Sequence, residues 1–159
     1  MKIARQFTQS GNDRYSTVPF VKATSEIKNP DGSVVFRAAD IDVPEQFSQV
    51  AVDILAQKYF RKAGVPARLK KVEETGVPSF LWRSVADEAA LAELPEAERY
   101  ISETSAAQVF DRLSGTWAYW GWKGGYFATE EDALAFRDEL ACMLATQRVA
   151  PNSPQWFNT

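Results

Sequence analysis

The sequence predicts an α+β domain that is mainly α, with a small β-hairpin near its N-terminus. Three observations carry this expectation. Apolar residues recur at helical spacing from Pro44 and again beyond Ser102. Thr129-Glu130-Glu131-Asp132 has the capping pattern of a helix start. Asn29-Pro30-Asp31-Gly32 separates two short extended runs. With 45% hydrophobic and 13% aromatic residues, a chain of 159 residues suffices for one domain with its own core.

Residues 1–20 are rich in polar and turn-forming types such as Ser10-Gly11-Asn12-Asp13, with Ile3, Phe7, Tyr15, Val18 and Phe20 as available anchors. A loosely packed arm is expected. From Val21 to Phe36, Pro30 presets φ for a turn and Gly32 tolerates positive φ, so the stretch reads as a hairpin. A helix opening at Pro44 sets Phe47, Val50, Ala51, Ile54, Leu55 and Tyr59 on or near one face. Glu45 suits its positive end, Arg61 and Lys62 its negative end, and Gly64 with Pro66 stops it. Residues 65–83 form a connector anchored by the extended apolar run Val77-Pro78-Ser79-Phe80-Leu81-Trp82. A short helix is expected from about Ser84, capped with help from Asp87 and fading before Pro95.

The next helix starts between Ser102 and Ser105 and carries Val109, Phe110, Leu113, Trp117 and Trp120 at three-and-four spacing. That spacing predicts Trp117 and Trp120 in the core, and Gly121, Gly124 and Gly125 end the helix. The last helix opens at Thr129 and buries a stripe of Ala133, Phe136, Leu140, Met143 and Leu144. The chain shows neither an internal repeat nor a low-complexity segment.

The formal net charge of −3 argues against general affinity for nucleic-acid backbones or anionic membranes. No apolar run approaches the ~18 to 20 residues that span a bilayer, and the start lacks a signal-peptide segment, so the cytoplasm is the default compartment. The chain has no histidine and one cysteine, so no internal disulfide and no metal site are expected. Carboxylates at Glu73-Glu74, Asp87-Glu88, Glu93, Glu96, Glu98 and Glu130-Glu131-Asp132 read as solvated or helix-capping groups. Lys123-Gly124-Gly125 is too short for a phosphate loop. Cys142 lies about 40° from Asp138 and about 20° from Glu131 around a helix. That places it away from the stripe of Phe136, Leu140 and Met143; acidic neighbours raise a thiol pKa, so it reads as structural, or as packed against a part of the protein beyond this chain, rather than nucleophilic. One reading from another functional class is a free-standing interaction module whose Trp117, Trp120 and Trp122 surface binds a partner protein or an aromatic ligand.

Residues 151–159, Pro-Asn-Ser-Pro-Gln-Trp-Phe-Asn-Thr, read as the opening of a buried functional loop, a piece of something larger. By its residue type alone Ser153 is a capping or turn serine; Pro154 biases it toward an extended backbone, where its hydroxyl can meet phosphate oxygens. This segment resembles the loop opening the catalytic barrel of class II, adenosylcobalamin-dependent ribonucleotide reductases. Residues 25–36, 53–66 and 116–127 are similar to the region preceding that barrel, so the resemblance covers roughly residues 20–159.

Beyond the arm of residues 1–20, the resemblance implies 21–150 as the helical N-terminal domain and 151–159 as the first segment of a ten-stranded α/β barrel. It implies that Ser153 contacts the ribonucleotide substrate, a diphosphate or triphosphate, with Asn152 and Thr159 near the same pocket. The chain has Gln155-Trp156 where many of these enzymes have Thr-Leu. In that family a barrel cysteine made into a radical by adenosylcobalamin removes hydrogen from the ribose, and a cysteine pair supplies electrons. No residue here matches the radical cysteine, the redox pair or the cobalamin pocket, so this chain has no catalytic residue and is expected to be inactive alone. The expected partners are the substrate and the barrel of the same chain, and a homodimer is compatible with the resemblance.

Overall fold

The computed structural model describes all residues, Met1–Thr159. Its hairpin pairs β1 (Phe20–Lys28) with β2 (Val34–Pro44) antiparallel, from Phe20 opposite Pro44 to Lys28 opposite Val34. Asn29 N–H donates to the Ser33 carbonyl at 2.8 Å, and Gly32 takes φ +86°, as the turn motif requires. The second strand outruns its predicted end at Phe36 because Ile41 and Val43 alternate inward onto the core and keep the backbone extended.

Pro44 therefore closes a strand instead of opening a helix. Ser48 caps α1 (Gln49–Ile54), accepting the Ala51 N–H at 3.2 Å. The helix then widens into a π turn, Leu55–Tyr59, closed by Phe60 N–H on the Leu55 carbonyl. The later start and the wider turn bring Val52, Leu55 and Ala56 inward, while Val50 and Ile54, expected inside, are 67% and 43% exposed.

The stretch expected to be a connector contains two small ladders. β3 (Val65–Pro66) pairs with β6 (Tyr100–Ile101), and β4 (Leu69–Lys71) with β5 (Ser84–Ala86). Ser84 thus lies in a strand, and Asp87 caps the short α2 (Glu88–Ala92) by accepting the Ala90 N–H at 3.3 Å. Within the apolar anchor, Ser79–Leu81 is a 3-10 turn and not extended; the Trp82 indole N–H ties it by donating to the Val77 carbonyl at 2.8 Å.

α3 (Ala106–Lys123) opens on a capping box of Ser105 and Gln108, and α4 (Glu130–Ala145) opens on Thr129, which accepts the Asp132 N–H at 3.2 Å. These two helices are the principal packed pair. Ala106 and Ala118 on one, with Ala133, Ala141 and Ala145 on the other, are fully buried and permit close approach. The larger apolar cluster joins Ile41, Val43, Val52, Leu55, Phe110 and Leu144; a smaller one collects Val77, Leu81, Ala118 and Ala133. Trp117 packs on the first and Trp122 on the second. Trp120, expected in the core, is 56% exposed. The Phe127 ring lies where a Cβ on Gly121 would fall, 2.6 Å away, so it covers that side of the helix and leaves the neighbouring Trp120 in solvent. Gly115 occupies the interior of α3, where glycine costs about 1 kcal/mol relative to alanine. Apart from its chain neighbours and the backbone of α3 itself, no atom of the domain lies within 4 Å of where its Cβ would be.

The arm is tied down, contrary to its composition. Arg5 pairs with Asp138 and Glu131, each at 3.0 Å, and Ile3 N–H donates to Asp132 at 2.7 Å. Glu139 accepts the N–H groups of Gln6, Phe7 and Thr8 at 2.9, 3.1 and 2.8 Å, and the Thr8 hydroxyl at 2.5 Å. Three of the α4 carboxylates that do this, Asp132, Asp138 and Glu139, are buried, so the buried surface of α4 is far wider than one apolar stripe. Cys142 lies within the core, with its thiol pushed up mainly by burial and next by Glu139, not by Glu131 or Asp138.

Burial pushes the Glu139 carboxyl up, but the Thr8 hydroxyl and the three backbone N–H groups outweigh it and hold it below its ordinary value. Asp132 is held low chiefly by the Ile3 N–H. Depressed carboxyls stabilise the fold fully above the unfolded value, about 4, and that contribution is lost as pH falls through the folded values. Acidification below about pH 4 should therefore release the arm first. Glu139→Ala, which leaves four donors without their acceptor, should cost about 2 kcal/mol. Amide exchange at residues 6–8 reads the effect; unchanged protection would show that the arm is held elsewhere.

Candidate functional site

The chain's last element is a short helix, α5 (Ser153–Asn158), where an extended barrel segment was expected. Two physical reasons favour it. Pro154 sits in the first turn, where its missing N–H is not needed. No strand in this chain lies beside residues 151–159, so their backbone groups pair locally, as in Gln155 N–H on the Asn152 carbonyl at 3.0 Å.

The helix is seated by aromatics. Trp156 stacks on Tyr59 with centroids 5.2 Å apart and planes 23° apart, and Phe157 meets the same ring at 5.2 Å. The Trp156 indole N–H donates to the Pro151 carbonyl at 3.0 Å, folding the entry of the segment under its own side chain. Phe157 remains 54% exposed. An apolar groove of about 230 Å³ runs between Tyr59, Ile54, Phe47 and Trp156.

Arg112 on α3 holds the segment from below. Its Nη1 donates to the carbonyls of Trp156 and Thr159, both at 2.9 Å, and its Nη2 to the Tyr59 carbonyl at 2.8 Å. Its Nε pairs with Glu103 at 3.0 Å, and both side chains are largely buried. The other Glu103 oxygen accepts the Arg61 N–H at 2.9 Å. One guanidinium thus joins α3, the end of the π turn and the terminal helix. The π turn matters here, because Phe60 leaves it extended and the Tyr59 carbonyl is free to accept from Arg112.

Ser153 is exposed, and its Oγ lies 3.2 Å from the Tyr59 hydroxyl. Asn152 precedes it at the N-cap, exposed and without a side-chain cap bond. Thr159 stands beyond the far end of the helix, six residues and about 9 Å of rise away. Asn152 and Ser153 are therefore together, and Thr159 is apart from them, on the wall of a second, basic cleft. The supporting residues Arg112, Glu103 and Arg61 escaped the sequence reading. Nine residues separate Glu103 from Arg112, and no local pattern marks a guanidinium whose acceptors come from residues 59, 156 and 159. Trp117 and Trp122 pack inward, so the three tryptophans do not form one exposed surface.

Removing Arg112 leaves Glu103 buried without its counter-charge. Arg112→Ala should cost about 3 kcal/mol and free residues 153–159, whose amides should exchange at unprotected rates. Retained protection there would show that the Tyr59 stack alone holds the helix.

Comparison with known proteins gives a consistent result. Residues 21–147 match the family described as class II vitamin B12-dependent ribonucleotide reductase. A vitamin B12-dependent ribonucleotide reductase of Agrobacterium fabrum is 79% identical over 159 residues, all of this chain and 12% of that protein. One from Bradyrhizobium diazoefficiens is 67% identical over all of this chain and 13% of its own length. One from Streptomyces coelicolor is 31% identical over 99% of this chain and 13% of its own length. The chain spans about an eighth of these relatives.

Proposed function

This chain belongs to the family of class II vitamin B12-dependent ribonucleotide reductases, and from that premise we propose that it is the N-terminal domain of such an enzyme. The whole protein reduces ribonucleotides, as diphosphates or triphosphates, to deoxyribonucleotides for DNA synthesis in the cytoplasm. No helix here is long and apolar enough to cross a membrane.

We place the cofactor outside this part of the protein. The apolar groove, at about 230 Å³, is smaller than the ~300 to 1,000 Å³ of common ligand sites. The larger cleft is walled by cations. We therefore assign adenosylcobalamin, which supplies the radical, to the polypeptide beyond residue 159, and derive no step through it here.

This domain's own contribution is positional. Ser153 offers a hydroxyl donor to the substrate, with Asn152 beside it. The observation that carries this reading is the Arg112 grip on the Trp156 and Thr159 carbonyls, which sets the segment bearing Ser153 relative to the domain. Tyr59, 3.2 Å from Ser153, orients the hydroxyl. The apolar groove and exposed Phe157, Val50 and Ile54 give the barrel a surface to cover.

The 159-residue chain should show no ribonucleotide reduction with adenosylcobalamin and a dithiol, and the complete protein should show it. In the complete protein Ser153→Ala should raise KM about tenfold, the loss of roughly one hydrogen bond to a charged group. Turnover by the chain alone, or unchanged kinetics in Ser153→Ala, would overturn the respective part of the proposal.

A further inference from the structure

A cleft of about 760 Å³ opens between α3 and the β4–β5 ladder. Six cations line it, Arg14, Arg61, Lys71, Arg83, Arg112 and Arg137, against two carboxylates, Glu103 and Asp111, an excess of four positive charges in a chain whose net charge is −3. Arg14, Arg112 and Arg137 are paired with Asp111, Glu103 and Asp138. Arg61, Lys71 and Arg83 take part in none of the fold's side-chain ion pairs, and Arg61 reaches only the Thr159 carbonyl, at 3.5 Å from its Nη2. Lys71 donates only to the Trp82 carbonyl, at 2.8 Å. Burial first, and then the charges of Arg137 and Arg14, push its ammonium below its ordinary value, with Asp111 opposing them.

Gly115 is a second, independent sign. It lies on the wall of this cleft in the middle of α3, and nothing in the domain occupies the space its side chain would take. Glycine there is unfavourable for the helix, and a Cβ in its place would meet open space beyond the helix's own backbone. It leaves room for something outside the domain to approach the helix backbone. Thr159 stands on the same wall, so the polypeptide leaves the domain at the cleft, and relatives have about seven-eighths of their length elsewhere.

From the unpaired cations, the vacant space at Gly115 and the position of Thr159, we infer that this cleft seats an acidic segment of the polypeptide that follows residue 159. The segment packs on α3 at Gly115 and places carboxylates against Lys71, Arg83 and Arg61. This rests on the reading of the chain as the N-terminal domain of a longer reductase. It adds which face meets the remainder and by what chemistry.

Zero-length carbodiimide coupling of the complete protein tests it, since the reagent joins an amine only to a carboxylate in direct contact. Mass spectrometry should find Lys71 joined to an Asp or Glu beyond residue 159. The yield should fall several-fold near 1 M salt, where the screening length is about 3 Å. Gly115→Leu should lower the yield several-fold, while Gly115→Ala should raise the Tm of the 159-residue chain. The inference is overturned if Lys71 couples only to carboxylates within residues 1–159, or if it is acetylated as fast in the complete protein as in the shorter chain. It is also overturned if tripolyphosphate protects Lys71 in the complete protein, which would make the cleft a small-anion site. Any of these results in a protein that reduces ribonucleotides would remove this inference alone. Absence of that activity would instead remove the functional reading on which it rests.

Discussion

A largely buried guanidinium has five donors and one charge, and a single carboxylate cannot satisfy all of it. Arg112 meets this constraint by pairing with Glu103 and spending its remaining donors on carbonyls of Tyr59, Trp156 and Thr159. Each acceptor must be exposed by an interruption in regular structure. Tyr59 presents its carbonyl because the π turn ends abruptly at Phe60, and Trp156 and Thr159 because α5 is too short to use theirs. The hydrogen-bond needs of one side chain therefore account for the joining of three distant segments, and for where Ser153 stands.

The network that holds the arm obeys the same rule with the charges reversed. Glu139 is buried and collects three successive backbone donors and a hydroxyl from the arm, while Arg5 bridges Asp138 and Glu131. Both networks rest on the α3–α4 pair, whose small buried residues allow the close packing that excludes water from them. The domain is thus a helical platform with two polar clamps: one holds its first residues, the other holds the segment proposed to meet substrate.

The parts legible in the sequence were those with local causes. The Asn29–Gly32 turn, the Ser105 and Thr129 caps, and the Val109, Phe110 and Leu113 stripe each depend on residues within a few positions of one another. Errors arose where a distant neighbour decided. Pro44 looked like a helix start until the pull of Ile41 and Val43 into the core kept it in a strand. Trp120 has core spacing, but it stays exposed while Trp117 and Trp122 to either side of it pack inward. The arm looked loose because its polar anchors are its own backbone N–H groups and two arginines, Arg5 and Arg14, whose partners lie about 100 or more positions away. At the site, Asn152, Ser153 and Thr159 were named from a family resemblance, and the grip of Arg112, Glu103 and Tyr59 on them had no signature in the sequence.

By itself the sequence determined the α+β class, the order of its main helices, the structural character of Cys142 and membership in a reductase family, since periodicity, caps and long matching strings are all properties of neighbouring residues. Tertiary structure alone decided which charged groups are buried, where Ser153 points its surroundings, and which cations remain unpaired along the cleft at Gly115. Those outcomes depend on which groups meet across 40 to 130 positions of chain, as between Arg61 and Glu103 or Thr8 and Glu139, and pairing at that range is set by packing.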